Sequence, residues 1–379
     1  MTVAIVIPMS WDEGWLTMDP TLLVEGFVAQ DEEAVIYCEP GSSYNTDAPV
    51  VELTKDQMRS SRTWVTLGVE LALVFTWMTN YNDVLRALRT AGVFVISKGD
   101  TDGLLVPRVH PGATLQRMML APVGSLGKAR NAWFWAKRWT YIYRRELELI
   151  VENIETADVT AVELEGARVN LHRVLAYAGR VDLSDRIVCI ENPVPTSFGA
   201  GSSGPRDRVV VSVGRWDDPQ KNARLLGRVV TEYGKEDSET RFVLMGNASG
   251  TVCGTAPQVT PLGRVGRDVL GTWLSAARVC LITSRWESFH IAGHEALASG
   301  CTIVGTPIDA VRSMVGDGSW GTVAAGEKPK DLVRALAEEM TLWDSGKRDP
   351  VTTSTHWQRK LRPEAIAERY LALPAMSSL

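Results

Sequence analysis

The chain has no apolar run long enough to cross a bilayer. Its longest apolar tract, 65–78, is about 14 residues long and contains Glu70, too short and too charged for a spanning helix. There is no basic segment followed by a small-residue cleavage site at the start, so a secretory leader is not expected. Cysteine is sparse: Cys38, Cys189, Cys253, Cys280 and Cys301 are odd in number, scattered, and never spaced C-x-x-C. That excludes a disulfide framework and a zinc knuckle, and it points to a reducing compartment, the cytoplasm. Histidine is scarcer still in function, since no Ser-His-Asp arrangement stands at readable spacing. Excess positive charge is missing as well. A net charge of −5 and a pI near 5.7 argue against a general nucleic-acid-binding protein.

What remains is the composition of a globular enzyme, 45% apolar and 22% charged over 379 residues, a length that suits two domains with separate cores. Short β-branched runs alternate with helical segments, the pattern of parallel sheets with crossover helices. In the first half the strands are read at 3–8, 34–38, 71–77 and 93–97, the helices at 21–30 and 84–90. In the second half the strands are read at 209–213, 241–245, 279–282 and from Thr302. The Gly/Ser-rich stretch 196–208 reads as a flexible linker. The expected division is a first domain at 1–195, a second at 209–355, and a closing segment at 356–379 whose helix starts at Pro363.

Two segments carry recognisable chemistry. One is Val279–Gly305, read as strand, sharp turn, helix from Ser288 to Ser299, and strand, with Gly300 at the helix end where a left-handed residue is wanted. Glu287 stands just before the helix and Glu295 two turns inside it. The backbone amides from Ser288 through Phe289 and His290 to Ile291 lack intrahelical partners and suit an anion. Carboxylates on either side of a phosphate cradle suit a sugar nucleotide, because they accept hydrogen bonds from sugar hydroxyls. The other segment follows the strand ending at Val213, where Gly214 lets a ligand approach the backbone and Arg215 and Lys221 can neutralise a diphosphate.

The E-x7-E spacing of Glu287 and Glu295, followed by Ala-Leu-Ala-Ser-Gly-Cys, resembles the signature of retaining glycosyltransferase family 4. The segment Val213–Asn222, about seventy residues upstream, is similar to that family's diphosphate clamp. The resemblance implies the GT-B fold: α/β, two doubly wound Rossmann-like domains with an interdomain cleft. It implies transfer of a sugar from a nucleotide diphosphate donor to a hydroxyl acceptor, whether saccharide, lipid-linked or small molecule, with retention and without an obligatory metal or cofactor. Glu287, Arg215 and Lys221 would be the catalytic groups, with Glu287 on the transferred sugar and Glu295 on the ribose. Gly214, Ser288, Phe289, His290, Ile291, Gly14 and Val265 would also bind the donor.

The chain departs from the family in places. Relatives follow the first strand with a Gly-Gly turn, whereas Met9–Gly14 has one glycine. They often carry a histidine after the strand at 93–97, where this chain has Lys98 and Asp100 as possible sugar or acceptor contacts. They usually have glycine where this chain has His290. Asp100-x-Asp102 spells a metal-binding pattern but reads better as an Asp/Gly turn. Other readings are a sugar-nucleotide epimerase of similar fold, or a nucleotide-sugar-binding protein with little catalysis.

The stretch 128–145 carries six basic residues before any acidic one. Helical spacing puts Trp135, Trp139, Ile142 and Tyr143 on one stripe, with Arg130, Lys137 and Arg144 opposite. That suits contact with a membrane surface, a core helix with a solvated basic face, or a groove for an anionic acceptor.

Overall fold

In the computed structural model, which describes residues 1–10, 19–41, 47–120, 133–199, 206–252 and 257–373, the buried β-branched runs form two all-parallel sheets. The first sheet contains β1 (Thr2–Ile7), β2 (Glu33–Cys38), β3 (Val50–Glu52), β4 (Leu71–Phe75), β5 (Phe94–Lys98), β6 (Val159–Val162) and β7 (Ile187–Cys189), in the order β3-β2-β1-β4-β5-β6-β7. The second contains β8 (Val209–Val213), β9 (Arg241–Met245), β10 (Val259–Gly263), β11 (Val279–Ile282), β12 (Thr302–Gly305) and β13 (Gly321–Val323), in the order β10-β9-β8-β11-β12-β13. Each is doubly wound. The chain leaves β1 in one direction and returns to place β4 on its other side, and β8 and β11 stand in the same relation.

Central strands such as β4, β11 and β12 are buried throughout, because helices cover both faces of a parallel sheet. Val210, Leu244, Leu281 and Val304 pack against Leu226, Val229, Leu332 and Leu336 of the helices Ala223–Glu236 and Pro329–Asp344. Full burial of one such side chain is worth roughly 1.5–3 kcal/mol. The edge strand β10 is largely open to solvent and contains Pro261, which an edge tolerates.

Packing divides the chain into two units, Met1–Pro193 with the stretch from Pro363 onward, and Val194–Arg362. The helix Pro350–Leu361 belongs to the second unit and Pro363–Leu371 to the first. The expected closing segment from 356 thus straddles the division. A Cβ on Gly26 would stand 2.2 Å from the carbonyl oxygen of Pro363, so only glycine lets the helix Asp19–Val28 lie this close to the last one. Phe27 meets Tyr370 at 6.5 Å, and Arg369 is paired with Glu191.

One sequence expectation fails here. The stretch 196–208 is not loose at its described ends. Phe198 is buried, and buried Arg206 donates to the carbonyls of Leu274 at 3.0 Å and Ala277 at 2.6 Å. Residues 200–205, which hold most of its glycines and serines, lie outside the described residues.

The aromatic stripe holds: Trp135 and Tyr143 are buried and Trp139 and Ile142 half-buried, although Arg138–Ile142 is a π-helical turn, which widens the local repeat. Trp135 and Tyr143 turn inward while Trp133, Phe134 and Tyr141 face solvent. Residues 128–132 lie outside the described residues. Among the described residues no helix is long and apolar enough to cross a membrane.

Candidate functional site

Ligands of an open α/β sheet bind beyond the strand C-termini at the point where the winding reverses. In the second sheet that point lies between β8 and β11, and both motifs begin there. Gly214 follows β8 and donates to the carbonyl of Met245 at 3.0 Å. The loop after β9 presses on it from the side. Gly246 has φ +109, and a Cβ on it would stand 1.9 Å from the Gly214 carbonyl oxygen. A Cβ on Gly214 itself would meet the Trp216 ring at 3.3 Å and Lys221 Cγ at 3.4 Å. Glycine at both positions keeps the clamp loop flat against the sheet.

Lys221 ends a single 3-10 turn, Pro219–Lys221, capped by Asp218. Its Nζ lies 2.5 Å from Glu287 Oε1, and both side chains are largely buried. Gln220 completes the bridge, donating from Nε2 to Glu287 Oε2 at 3.1 Å and to the carbonyl of Trp286 at 2.8 Å. The backbone joins in: Arg285 N donates to the Gln220 carbonyl at 2.9 Å, and Thr283 Oγ1 to the Lys221 carbonyl at 2.9 Å. Segments more than sixty residues apart are thereby fastened as one wall. Arg215 is exposed and lies 3.1 Å from Asp218, leaving most of its guanidinium open to an incoming anion.

Burial raises the Glu287 pKa, but His290, the Lys221 ammonium and a hydrogen bond from Ser284 outweigh it and hold the carboxyl below its usual range. Lys221 is the cation that matters near neutrality, because burial and Lys221 together push the His290 imidazole down to about 4.

The helix runs from Ile291 to Ala298, three residues shorter at its start than the expected Ser288. The reason is His290, whose φ of 66° is left-handed. Glycine suits that position best, in keeping with the glycine that the family resemblance implies there. His290 Nδ1 accepts the Gly293 amide at 2.9 Å, so at neutral pH the ring proton sits on Nε2. Among the described residues the amides of Ile291 and Ala292 donate to no protein acceptor and stay open to an anion.

Removing the cap and removing the strain act in opposite directions. His290→Ala keeps the strain, loses the cap and is expected to destabilise the fold by about 1 kcal/mol. His290→Gly loses both and should lie within about 0.5 kcal/mol of wild type. Chemical denaturation checks this, and alanine proving more stable than glycine would refute the left-handed geometry.

Glu295 lies in the buried middle of the helix. Among the described residues its carboxylate accepts no hydrogen bond, and burial pushes its pKa up to about 7, with Arg267 pulling weakly the other way. Val265 precedes the helix Arg267–Ala276 and is half-buried. Phe289 points into the core, stacked on His294 at 3.7 Å with the rings 1° from parallel. Only its backbone could meet a donor. Ser288 and Ile291 are half-buried at the turn.

The remaining expected residues lie in the first unit. Lys98 is not free to contact a sugar. It is 1% exposed, and its Nζ donates to Glu163 Oε1 at 2.8 Å and to Asn192 Oδ1, tying the ends of β5 and β6 to the loop after β7. Asp100 is half-buried with φ 41°, and Asp102 is paired with Arg117 and caps the Leu104 amide at 3.1 Å, a turn role. Gly14 lies outside the described residues. Sequence reading missed Gln220 and Ser284, although both stand within the quoted motifs, because an amide or hydroxyl beside a charged residue gives no signal of its own.

Residues 207–341 match the family of glycosyl transferases group 1. A curated relative, D-inositol 3-phosphate glycosyltransferase 2 of Catenulispora acidiphila, is 28% identical over 150 residues, which are 35% of this chain and 35% of that protein. Among solved structures, sucrose-phosphate synthase from Thermosynechococcus elongatus superposes with a TM-score of 0.65 at 14% identity over 99% of both chains. Anabaena HepE, in a complex with UDP, gives 0.68 at 14% identity over 100% of both. What is shared at such identities is the fold, two doubly wound sheets of the GT-B type.

Proposed function

We propose that this chain, whose residues 207–341 form a group 1 glycosyltransferase domain, moves a sugar from a nucleotide diphosphate sugar to a hydroxyl acceptor with retention at the anomeric carbon. The observation that supports this best is the buried Lys221–Glu287 pair beside an open Arg215, at the winding reversal of the second sheet. The bond from the anomeric carbon to the diphosphate oxygen breaks, and its electron pair leaves with the phosphate. Arg215 and Lys221 neutralise that growing charge. The acceptor oxygen bonds to the same face, and its proton passes to the departing phosphate oxygen. No protein group needs to take that proton, which suits a site whose nearest histidine is neutral and used as a helix cap. Glu287, fixed by Lys221 and Gln220, orients the sugar. Glu295 accepts from the ribose hydroxyls, filling hydrogen bonds that the protein leaves unmade. HepE in complex with UDP makes a uridine diphosphate donor the first to test. Cys38, Cys189, Cys280 and Cys301 are free thiols, and we place the reaction in the cytoplasm, where they stay reduced.

A thermal-shift panel of UDP, ADP and GDP sugars tests the donor. A ligand at a hundred times its Kd stabilises by about 2.7 kcal/mol, so one member should raise Tm by several degrees. Free nucleotide diphosphate should then appear only when an acceptor is added. If no member moves Tm, the donor assignment fails.

A further inference from the structure

We propose that the outer face of the helical stretch from Trp133 to Arg145 docks on an anionic lipid surface. The aromatics of this stretch divide between two faces. Trp135 and Tyr143 face inward, with the guanidiniums of Arg138 and Arg108 over their rings at 5.0 and 5.5 Å. Trp133, Phe134 and Tyr141 remain outside, Trp133 at 60% and Tyr141 at 52% exposure. Lys137 lies between two of them, its Nζ 3.2 Å from the Trp133 ring centroid and 6.0 Å from that of Tyr141. The result is a surface column in which a half-buried lysine lies between an exposed indole and an exposed phenol.

The basic residues are not all available. Arg138 is held by Glu146 at 2.8 Å and by the Leu105 carbonyl at 3.1 Å. Among the described residues Lys137 and Arg144 carry no carboxylate partner, and Arg145 shares a solvated 3.3 Å pair with Glu148, which is easily exchanged.

Charge complementarity selects the occupant. Indole and phenol rings favour the headgroup level of a bilayer, and a lysine or arginine beside them favours lipid phosphate. Each basic contact with an anionic surface raises partitioning roughly fivefold. Three such contacts hold weakly, so binding needs the aromatic column as well. A chain of net charge −5 would bind through this face and be repelled elsewhere.

The test is co-sedimentation of the full chain with phosphatidylglycerol–phosphatidylcholine vesicles and with pure phosphatidylcholine vesicles. Pelleting is expected with the anionic vesicles alone at low salt, and it should fall at least about tenfold near 0.5 M salt. The pair Trp133→Ala and Tyr141→Ala, and separately the triple Lys137→Ser, Arg144→Ser and Arg145→Ser, should each reduce it at least about tenfold without changing Tm. Failure of the wild type to pellet, equal pelleting with neutral vesicles, or variants that pellet like wild type would each overturn the proposal. So would analytical ultracentrifugation showing a dimer that Trp133→Ala dissolves, which would make this face a contact between copies. The readout needs no donor or acceptor. A chain that pellets but binds no nucleotide keeps the docking face and loses the transferase reading, and the converse result does the opposite.

Discussion

Lys221→Ala lowers turnover at least about a hundredfold, the usual effect of deleting one group that stabilises developing charge, and it also lowers stability. The second effect follows from the 2.5 Å pair. Without the ammonium, Glu287 keeps only the Gln220 and Ser284 hydrogen bonds inside a buried site, and breaking a buried pair from one side costs about 3–5 kcal/mol. Arg215→Ala should lose turnover by a similar factor while melting like wild type, because Arg215 is exposed and its contact to Asp218 is a surface pair. Steady-state kinetics beside thermal denaturation separates the two. Near-normal turnover in either variant removes that residue from the clamp.

The two glutamates should separate in a second way. Glu287→Gln is expected to reduce transfer at least about tenfold while leaving affinity for bare nucleotide diphosphate unchanged. Glu295→Gln is expected to weaken that affinity by roughly tenfold or more, as for a lost hydrogen bond to a charged acceptor. The pH dependence adds a sign. An acid whose folded pKa is raised from 4.5 to about 7 binds its proton more tightly when folded. Its contribution to stability is full below the unfolded value and is lost as pH rises through about 7. Nucleotide binding runs the other way if the ribose needs the carboxylate, with affinity rising from pH 6 to pH 8. Glu295→Gln should flatten both slopes. Calorimetry at the two pH values decides, and a variant that binds as tightly as wild type ends the ribose assignment.

The fold was legible because period-2 and buried β-branched runs dominate local structure. β1, β2, β4, β5, β8, β9, β11 and β12 fall within about two residues of their expected positions. Gly300 closes its helix with φ +85 as read, and the clamp and glutamate segments come together at the winding reversal. Four features stayed hidden, each for a physical reason. His290 starts the helix late because a side-chain cap sustains a left-handed residue that sequence pattern cannot reveal. The π-helical turn at Arg138–Ile142 is marked by no spacing in the sequence, and the stripe of Trp135 and Tyr143 holds across it. Lys98 looked available until β6 brought Glu163 beside it. Gln220 acts through a partner sixty-seven positions away, and such a distance leaves no mark in a local window.

The close fit of Gly26 beneath Pro363 also fixes an order in time. The helix Asp19–Val28 leaves the ribosome well before its partner Pro363–Leu371. Between them lie residues 29–362, including the whole stretch Val194–Arg362, which at 5–20 residues per second take roughly fifteen to seventy seconds to synthesise. The first unit is therefore begun before the second and completed after it. Throughout that interval the groove that Tyr370 will fill stays open, an apolar flank that nascent-chain chaperones would meet before the helix Pro363–Leu371 does.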